Sequence, residues 1–403
     1  MSEPTGDPPP SEPSPSAEAQ PAPAPSAGQP ARRRRRPLSR GKKALFFLAF
    51  AVLGLGFGEL AVRVLTKPKP PMFEAHPYLR RVRAENVSHN WISPIDGRSY
   101  TVATDGHGFR TKNLEPVGDP KPEGTYRIFF VGGSTTENIA LPDEETFPEI
   151  VQAKLRERLG GTPKVCTVNT GISGNTIVDS FSLISHRILA LEPDLIVVLH
   201  ATNDMRISMS DRFDPTHYDD LVKHKKVRFS DFMEDNSRLF SLSVQLRKGL
   251  FGLSGAERYK TRRASIPFSK GLDPGVGLPH FRRYLGMISA VCQEAKVPVV
   301  FMTQPSLYKP NNTPEEDAAF WLGVINHGEV NLDNATLLRG MQLYNAATAE
   351  HAQARGHLLI DLDPLVPKDL EHFYDDAHYT GKGCAVIADA IVEGLLQDGK
   401  LPE

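Results

Sequence analysis

The sequence predicts an α/β fold: a doubly wound, five-stranded parallel sheet flanked by helices and preceded by an N-terminal transmembrane helix. Three observations carry this expectation. From Tyr126 onward, short apolar, β-branched runs alternate with longer segments of helical period, the pattern of repeated βα units. The run Asp194-Leu195-Ile196-Val197-Val198-Leu199-His200 is almost wholly apolar, as a strand covered on both faces must be. Finally, one apolar stretch, residues 44–65, stands directly against a block of arginines, the arrangement of a membrane anchor with a cytoplasmic basic flank.

Taken in order, the 403 residues carry a formal net charge of −1. That suits one large or two small domains and gives no general affinity for polyanions. Residues 1–31 are rich in Pro, Ala, Ser and Glu and lack aromatic side chains. Such a segment buries too little apolar surface to offset its ordering entropy. With the basic cluster that follows, residues 1–43 are read as a disordered cytoplasmic tail. The cluster, Arg32-Arg33-Arg34-Arg35-Arg36 with Arg40, Lys42 and Lys43, abuts residues 44–65. About 22 residues are enough to cross a bilayer, and cations on the amino side hold that side in the cytoplasm. The expectation is a single-pass anchor in a bacterial cytoplasmic (inner) membrane, with the large C-terminal domain extracytoplasmic. Glu59 and Arg63, four residues apart near the outer end, can pair or reach the interface. A cleaved signal peptide is the competing reading. Its small-x-small candidates, Gly54-x-Gly56 and Gly56-x-Gly58, lack the usual alanines, which favours the anchor. Arginine runs also occur in nucleic-acid patches, but contact with the apolar run makes topology the simpler account, and no nucleic-acid partner is expected.

Residues 66–124 open with the stiff spacer Thr66-Lys67-Pro68-Lys69-Pro70-Pro71. Short patches around Trp91-Ile92 and Tyr100-Thr101-Val102-Ala103 then predict a β-rich N-terminal extension. Asp105 and His107 sit in a glycine turn; two ligands do not make a metal site, so a turn is expected.

Residues 125–403 form the expected α/β domain. After the strand beginning at Tyr126, helix Glu144–Leu159, strand Lys164–Asn169, helix Thr176–Leu191 and strand Asp194–His200 follow. Helix Phe281–Ala295, strand Val297–Thr303, helix Leu332–Ala354, strand His357–Asp361 and helix Gly383–Leu396 complete the alternation. It is interrupted by an insertion at about 205–278 containing Arg206, Arg212, His217, Tyr218, Lys223 and Arg228. Loops there build a site mouth, so the insertion is read as a substrate-recognising lid, against the alternative of a partly disordered segment. Residues 311–331 offer a second wall, where Phe320 and Trp321 can face a sugar or an acyl chain or simply join the core. The three cysteines, Cys166, Cys292 and Cys384, occupy apolar positions without a metal spacing, the pattern of buried thiols. Gly132-Gly133 lacks the lysine of a phosphate loop, and Asp361, Asp363, Asp375 and Asp376 read as a solvated acidic rim. No cofactor and no metal are expected.

Chemistry enters at the turn Gly132-Gly133-Ser134-Thr135-Thr136-Glu137. The strand before it delivers Ser134 to the carboxyl edge of the sheet, where open α/β folds bind their ligands. Ser134-x-x-Glu137 is equally the pattern of a capping box, in which the hydroxyl only satisfies a helix amide. Far along the chain, Asp375-Asp376-Ala377-His378 sets an acid three residues before an imidazole. If the two share a turn, the carboxylate holds the Nδ1 proton and leaves Nε2 to take a proton from a serine. Between these blocks, Asn169-Thr170-Gly171-Ile172-Ser173-Gly174-Asn175 follows the second strand and His200-Ala201-Thr202-Asn203-Asp204 the third.

Four such blocks in this order resemble the SGNH (GDSL-type) serine hydrolases over Tyr126–Leu396, a family of flavodoxin-like fold. The resemblance implies that Ser134 is the nucleophile, with Asp375 and His378 as acid and base. It also implies an oxyanion hole of the Ser134 amide, the Gly174 amide and the Asn203 side chain. Gly133 stands where the family usually has aspartate, and Ala201 where the third block usually has glycine; the second change bears on substrate size. Asp376 leaves open which aspartate orients His378. The implied function is an ester hydrolase working through an acyl-enzyme on an O-acyl ester of a carbohydrate or lipid outside the membrane. Two alternatives remain: an O-acyltransferase using the same triad on cell-envelope polysaccharide, and a non-catalytic envelope binding protein.

Overall fold

A computed structural model of the chain describes residues 39–66, 71–111, 117–210, 213–215, 233, 236–251, 260, 263–269, 271–325, 329–399 and 401. The tail with its Arg32–Arg36 cluster lies outside these residues, as does much of the 205–278 insertion, including Arg212, His217, Tyr218, Lys223 and Arg228. The chain divides into two units, residues 1–60 and 61–403.

In the first unit the described part belongs to helix Arg40–Leu65, 26 residues long and with none of its residues buried. Phe46, Phe47, Leu53 and Phe57 are all exposed. A helix that is apolar all round, with no polar stripe, is suited to lipid and not to the surface of a globule. Its length and composition fit a membrane span or a signal sequence.

In the second unit, five strands form one parallel sheet: β1 (Thr125–Gly132), β2 (Lys164–Asn169), β3 (Leu195–Leu199), β4 (Val299–Met302) and β5 (Leu358–Ile360). Their spatial order is β2-β1-β3-β4-β5, with every pairing parallel. All residues of β3 and β4 are buried, which accounts for their unbroken apolar character. Helix Phe147–Arg158 packs on Gly381–Gln397, and Leu278–Glu294 packs on Asn334–Arg355, giving the helical layers of a doubly wound fold. Winding reverses between β1 and β3, and the crevice this opens lies at their carboxyl ends.

Local chemistry sets the helix boundaries. Asp333 accepts the Thr336 amide and Thr380 the Gly383 amide, each satisfying an orphan donor of a first turn. Gly356 at φ 67° closes Asn334–Arg355 in the left-handed conformation. Pro148 fits only a first turn, so that helix starts at Phe147, after a separate turn at Asp143–Glu145. The expected single helix over Thr176–Leu191 is instead α-helical at Ile177–Leu183, π-helical at Ile184–Ile188 and 3₁₀ at Leu189–Leu191. Where the register widens, the Ser185 hydroxyl donates to the Phe181 carbonyl at 2.8 Å and competes with the backbone ladder.

Within residues 66–124, Ser88–Ile92 pairs antiparallel with Ser99–Ala103, setting Trp91 opposite Tyr100. Asp105 Oδ1 accepts the amides of His107 and Phe109, each at 2.9 Å, and so organises a turn. Leu79, Val82 and Phe109 enter the core around the sheet, which brings Arg80, Arg81 and Arg83 to its carboxyl edge.

Candidate active site

The exit of β1 is sterically closed to larger residues. A Cβ at Gly132 would stand 2.7 Å from the Leu199 carbonyl oxygen, and one at Gly133 2.7 Å from Asn203 Nδ2. At Gly133, in the family's usual aspartate position, a Cβ would require the Asn203 side chain to shift. Ser134 begins helix Ser134–Glu137, and no side chain caps that helix. The capping pattern is not used as such. Buried Glu137 pairs with Arg83, accepts the Ser173 amide at 2.8 Å and binds the Ser173 hydroxyl. Ser134 Oγ instead lies 2.7 Å from His378 Nε2.

The other ring nitrogen, Nδ1, lies 2.9 and 2.8 Å from the two oxygens of Asp375. Asp375 Oδ1 also accepts the amides of Ala377 and His378 at 3.0 and 2.8 Å. With Nδ1–H donating to a carboxylate, Nε2 of the neutral ring is an acceptor facing the serine hydroxyl. Burial lowers the His378 pKa, but the charge and hydrogen bond of Asp375 and the charge of Asp376 outweigh it, and the net displacement is upward. Burial raises that of Asp375, but the His378 charge and its hydrogen bonds leave it below the usual carboxylate value. Asp376 touches neither ring nitrogen. Its Oδ2 accepts Tyr308 Oη at 2.9 Å and the amides of Trp321 and Leu322 at 3.2 and 2.8 Å. Burial and the Asp375 charge push its pKa up to about 6.

On the opposite side, Gly174 sits at φ +79°, where an L side chain is strained, and a Cβ there would meet Arg81 Nη2 at 2.7 Å. Arg81 donates to the Ser173 carbonyl and Arg80 Nη2 to the Gly174 carbonyl at 2.6 Å. Arg80 also pairs with buried Asp179 at 2.8 Å. Asn203 Nδ2 donates to the Asn175 carbonyl at 2.9 Å, which uses one of its two N–H bonds. The amides of Ser134 and Gly174 make no hydrogen bond among the described residues. Ser134, Gly174 and Asn203 are part-exposed while most of their neighbours are buried.

Ser134, Asn203 and His378 border a cleft of about 270 Å³, lined also by Gln304 and Leu322 among others. Ala201 is 1 % exposed and does not line it, so its methyl does not narrow the approach. Phe320 is also no wall, being buried against Tyr308, and the Trp321 indole is turned onto Asp375, with Nε1 2.8 Å from Oδ2. A larger cavity beside helix Phe147–Arg158 shares no lining residue with this cleft and is remote from its chemistry.

A second serine–imidazole contact, Ser180 Oγ to His200 Nε2 at 2.6 Å, shows what exposure contributes. Both residues are sealed, at 1 % and 4 % exposure, and burial pushes the His200 pKa down to about 3. Cys384 is likewise buried, its thiol pushed up to about 12, which leaves it no thiolate at neutral pH. Asp361 accepts the Thr303 hydroxyl and Asp363 pairs with Lys368. Among the described residues no group of three His, Cys, Asp or Glu side chains is placed to hold a metal ion. Sequence reasoning missed Arg80, Arg81, Arg83 and the roles of Trp321 and Asp376. The one available signal was three arginines within four positions, after a stiff spacer.

A sheet of this order, with serine, imidazole and carboxylate in hydrogen-bonded series at its carboxyl edge, defines an esterase of the open α/β class. Residues 130–386 match the GDSL-like Lipase/Acylhydrolase family. The chain belongs to that family and is an SGNH-type esterase. A search of curated protein sequences gives no match. Among solved structures the chain is similar to LAE5, an alpha/beta hydrolase enzyme from the metagenome of Lake Arreo, Spain, at 15 % identity, covering 69 % of this chain and 97 % of that one with TM-score 0.40. It is also similar to the acetyl xylan esterase AlAXEase, at 15 % identity over 67 % and 99 % with TM-score 0.38. A third is Axe2, an acetylxylan esterase from Geobacillus stearothermophilus, at 16 % identity over 67 % and 94 % with TM-score 0.38.

Proposed function

We propose that the protein hydrolyses an O-acyl ester of a carbohydrate or lipid through a covalent serine intermediate, outside a bacterial cytoplasmic membrane to which helix Arg40–Leu65 anchors it. The observation that carries this reading is the unbroken series from Ser134 Oγ through His378 to Asp375, at 2.7 and 2.8 Å. His378 Nε2 takes the Ser134 proton as the oxygen attacks the ester carbonyl, and Asp375 stabilises the resulting imidazolium. The tetrahedral oxygen anion meets the Ser134 and Gly174 amides and the second N–H of Asn203 Nδ2. As the carbon–oxygen bond breaks, His378 returns its proton to the departing alkoxide and releases the alcohol. Water, deprotonated by the same nitrogen, then attacks the acyl-serine; Ser134 recovers that proton from His378, and the carboxylic acid leaves and ionises in solvent.

The full chain in detergent, treated with a fluorophosphonate probe beside Ser134→Ala and His378→Ala, tests this reading. Labelling that Ser134→Ala abolishes and His378→Ala strongly slows is the expected result. A folded parent protein that takes up no probe contradicts it.

A further inference from the structure

We propose that Trp321 is a positioning residue of the proton relay: its indole N–H fixes the carboxylate of Asp375, its ring fixes the plane of His378, and Asp376 holds Trp321 in place. This rests on the relay proposed above and adds a residue and a role to it.

The donors to Asp375 divide by origin. The amides of Ala377 and His378 and the His378 ring come from the same four-residue loop as the carboxylate. They fix the carboxylate to its own loop but not to the rest of the fold. Trp321 Nε1 comes from 54 positions earlier and reaches Oδ2 at 2.8 Å. It ties that loop to the body of the domain.

The ring completes the constraint. Trp321 lies within 8° of parallel to the His378 imidazole, centroids 6.2 Å apart, and Tyr374 lies within 20° at 5.6 Å. Rotation of the imidazole away from this near-parallel alignment would break the contacts of Nδ1 and Nε2 together. Trp321 is itself pinned. Asp376 Oδ2 accepts its amide and that of Leu322, and Arg206 Nε donates to the Leu322 carbonyl at 2.5 Å. A substrate wall would present its polar edge to the cleft; this indole presents it to a buried acid.

The charged and titratable groups around the relay are Asp376, Arg206 and Tyr374, with Tyr308 and Arg263 acting through Asp376. Trp321→Phe keeps an aromatic ring but removes the donor, along with the second ring of the indole. Asp375 then has one fewer hydrogen bond stabilising its charge, becomes more basic and holds the His378 proton more tightly. Asp376→Asn removes a nearby negative charge and acts in the opposite direction.

The test is histidine titration of the full chain in detergent, carrying ¹³C at imidazole Cε1, with the His378 resonance identified by its loss in His378→Gln. The midpoint is expected to rise by roughly half a pH unit in Trp321→Phe and to fall in Asp376→Asn. An unmoved midpoint in a folded Trp321→Phe overturns the proposal. The parent protein supplies a second test that needs no variant at Trp321. It has two tryptophans, so the indole resonance that persists in ¹⁵N-labelled Trp91→Phe is that of Trp321. It is expected to follow the His378 midpoint, and a resonance indifferent to pH across that midpoint overturns the assignment. Neither readout requires turnover. Fluorophosphonate labelling of the same sample therefore tests the serine separately, and the two readings fail independently.

Discussion

The two sides of the cleft are built on opposite plans. The side that handles the proton is short-range and acidic: Asp375 and His378 are three residues apart on one loop, with buried Asp376 between them. The side proposed to face the developing oxygen anion is long-range and cationic. Its loop carbonyls are held by Arg80 and Arg81, 94 and 92 positions earlier, and its Ser173 amide by a glutamate that Arg83 pairs. The physical demands differ. Groups that exchange a proton must touch, and a close spacing provides that. A site for an anion needs donors with no competing acceptor nearby, and guanidinium groups that engage the Ser173 and Gly174 carbonyls leave the amides to the substrate.

Substitutions on the proton side should have the largest effect. Ser134→Ala is expected to reduce kcat/KM by about 10⁴-fold or more, measured on any ester the parent protein cleaves; a smaller loss would mean that the serine is not the attacking group. Asn203→Ala, on the anion side, should lower kcat by roughly 10²- to 10³-fold with little change in KM. Arg81→Met tests whether the distant clamp acts through the loop: about a tenfold loss in kcat is expected. If KM rises and kcat holds, the arginine binds substrate and the contrast between the two sides breaks down.

The pH profile sharpens the same comparison. His378 must be neutral to accept a proton, and its pKa is raised above the ordinary 6.5. The acid limb of kcat/KM should therefore have its midpoint above pH 6.5, with activity lost as pH falls through it. A midpoint well below 6.5 would remove the acidic character argued for this side. The smallest effect belongs outside both. Arg158 and Glu393 form a pair in which each side chain is more than half exposed, so Arg158→Ala should change stability by less than about 1 kcal/mol and leave turnover unchanged.

What sequence could reveal followed the same division. The strands were legible because β3 and β4 are covered on both faces and must be apolar throughout, and the blocks around Ser134, Gly174, Asn203 and His378 because each follows a strand of the sheet. Helix Thr176–Leu191 was read too regularly, since nothing in its spacing shows where Ser185 bonds back to Phe181. Trp321 was read as a wall or as core because its indole partner lies 54 positions away, and no local pattern carries that contact. Arg80 and Arg81 were passed over for the same reason.

The central claim is that Ser134 carries the acyl group between two half-reactions. The most direct measurement mixes the full chain rapidly with an activated acetyl ester, quenches in acid and sequences the peptides by mass spectrometry. The account predicts one acetyl group on the peptide containing Ser134, with none in Ser134→Ala. Turnover that continues in Ser134→Ala, or acetylation at another residue that matches the rate of turnover, would contradict it.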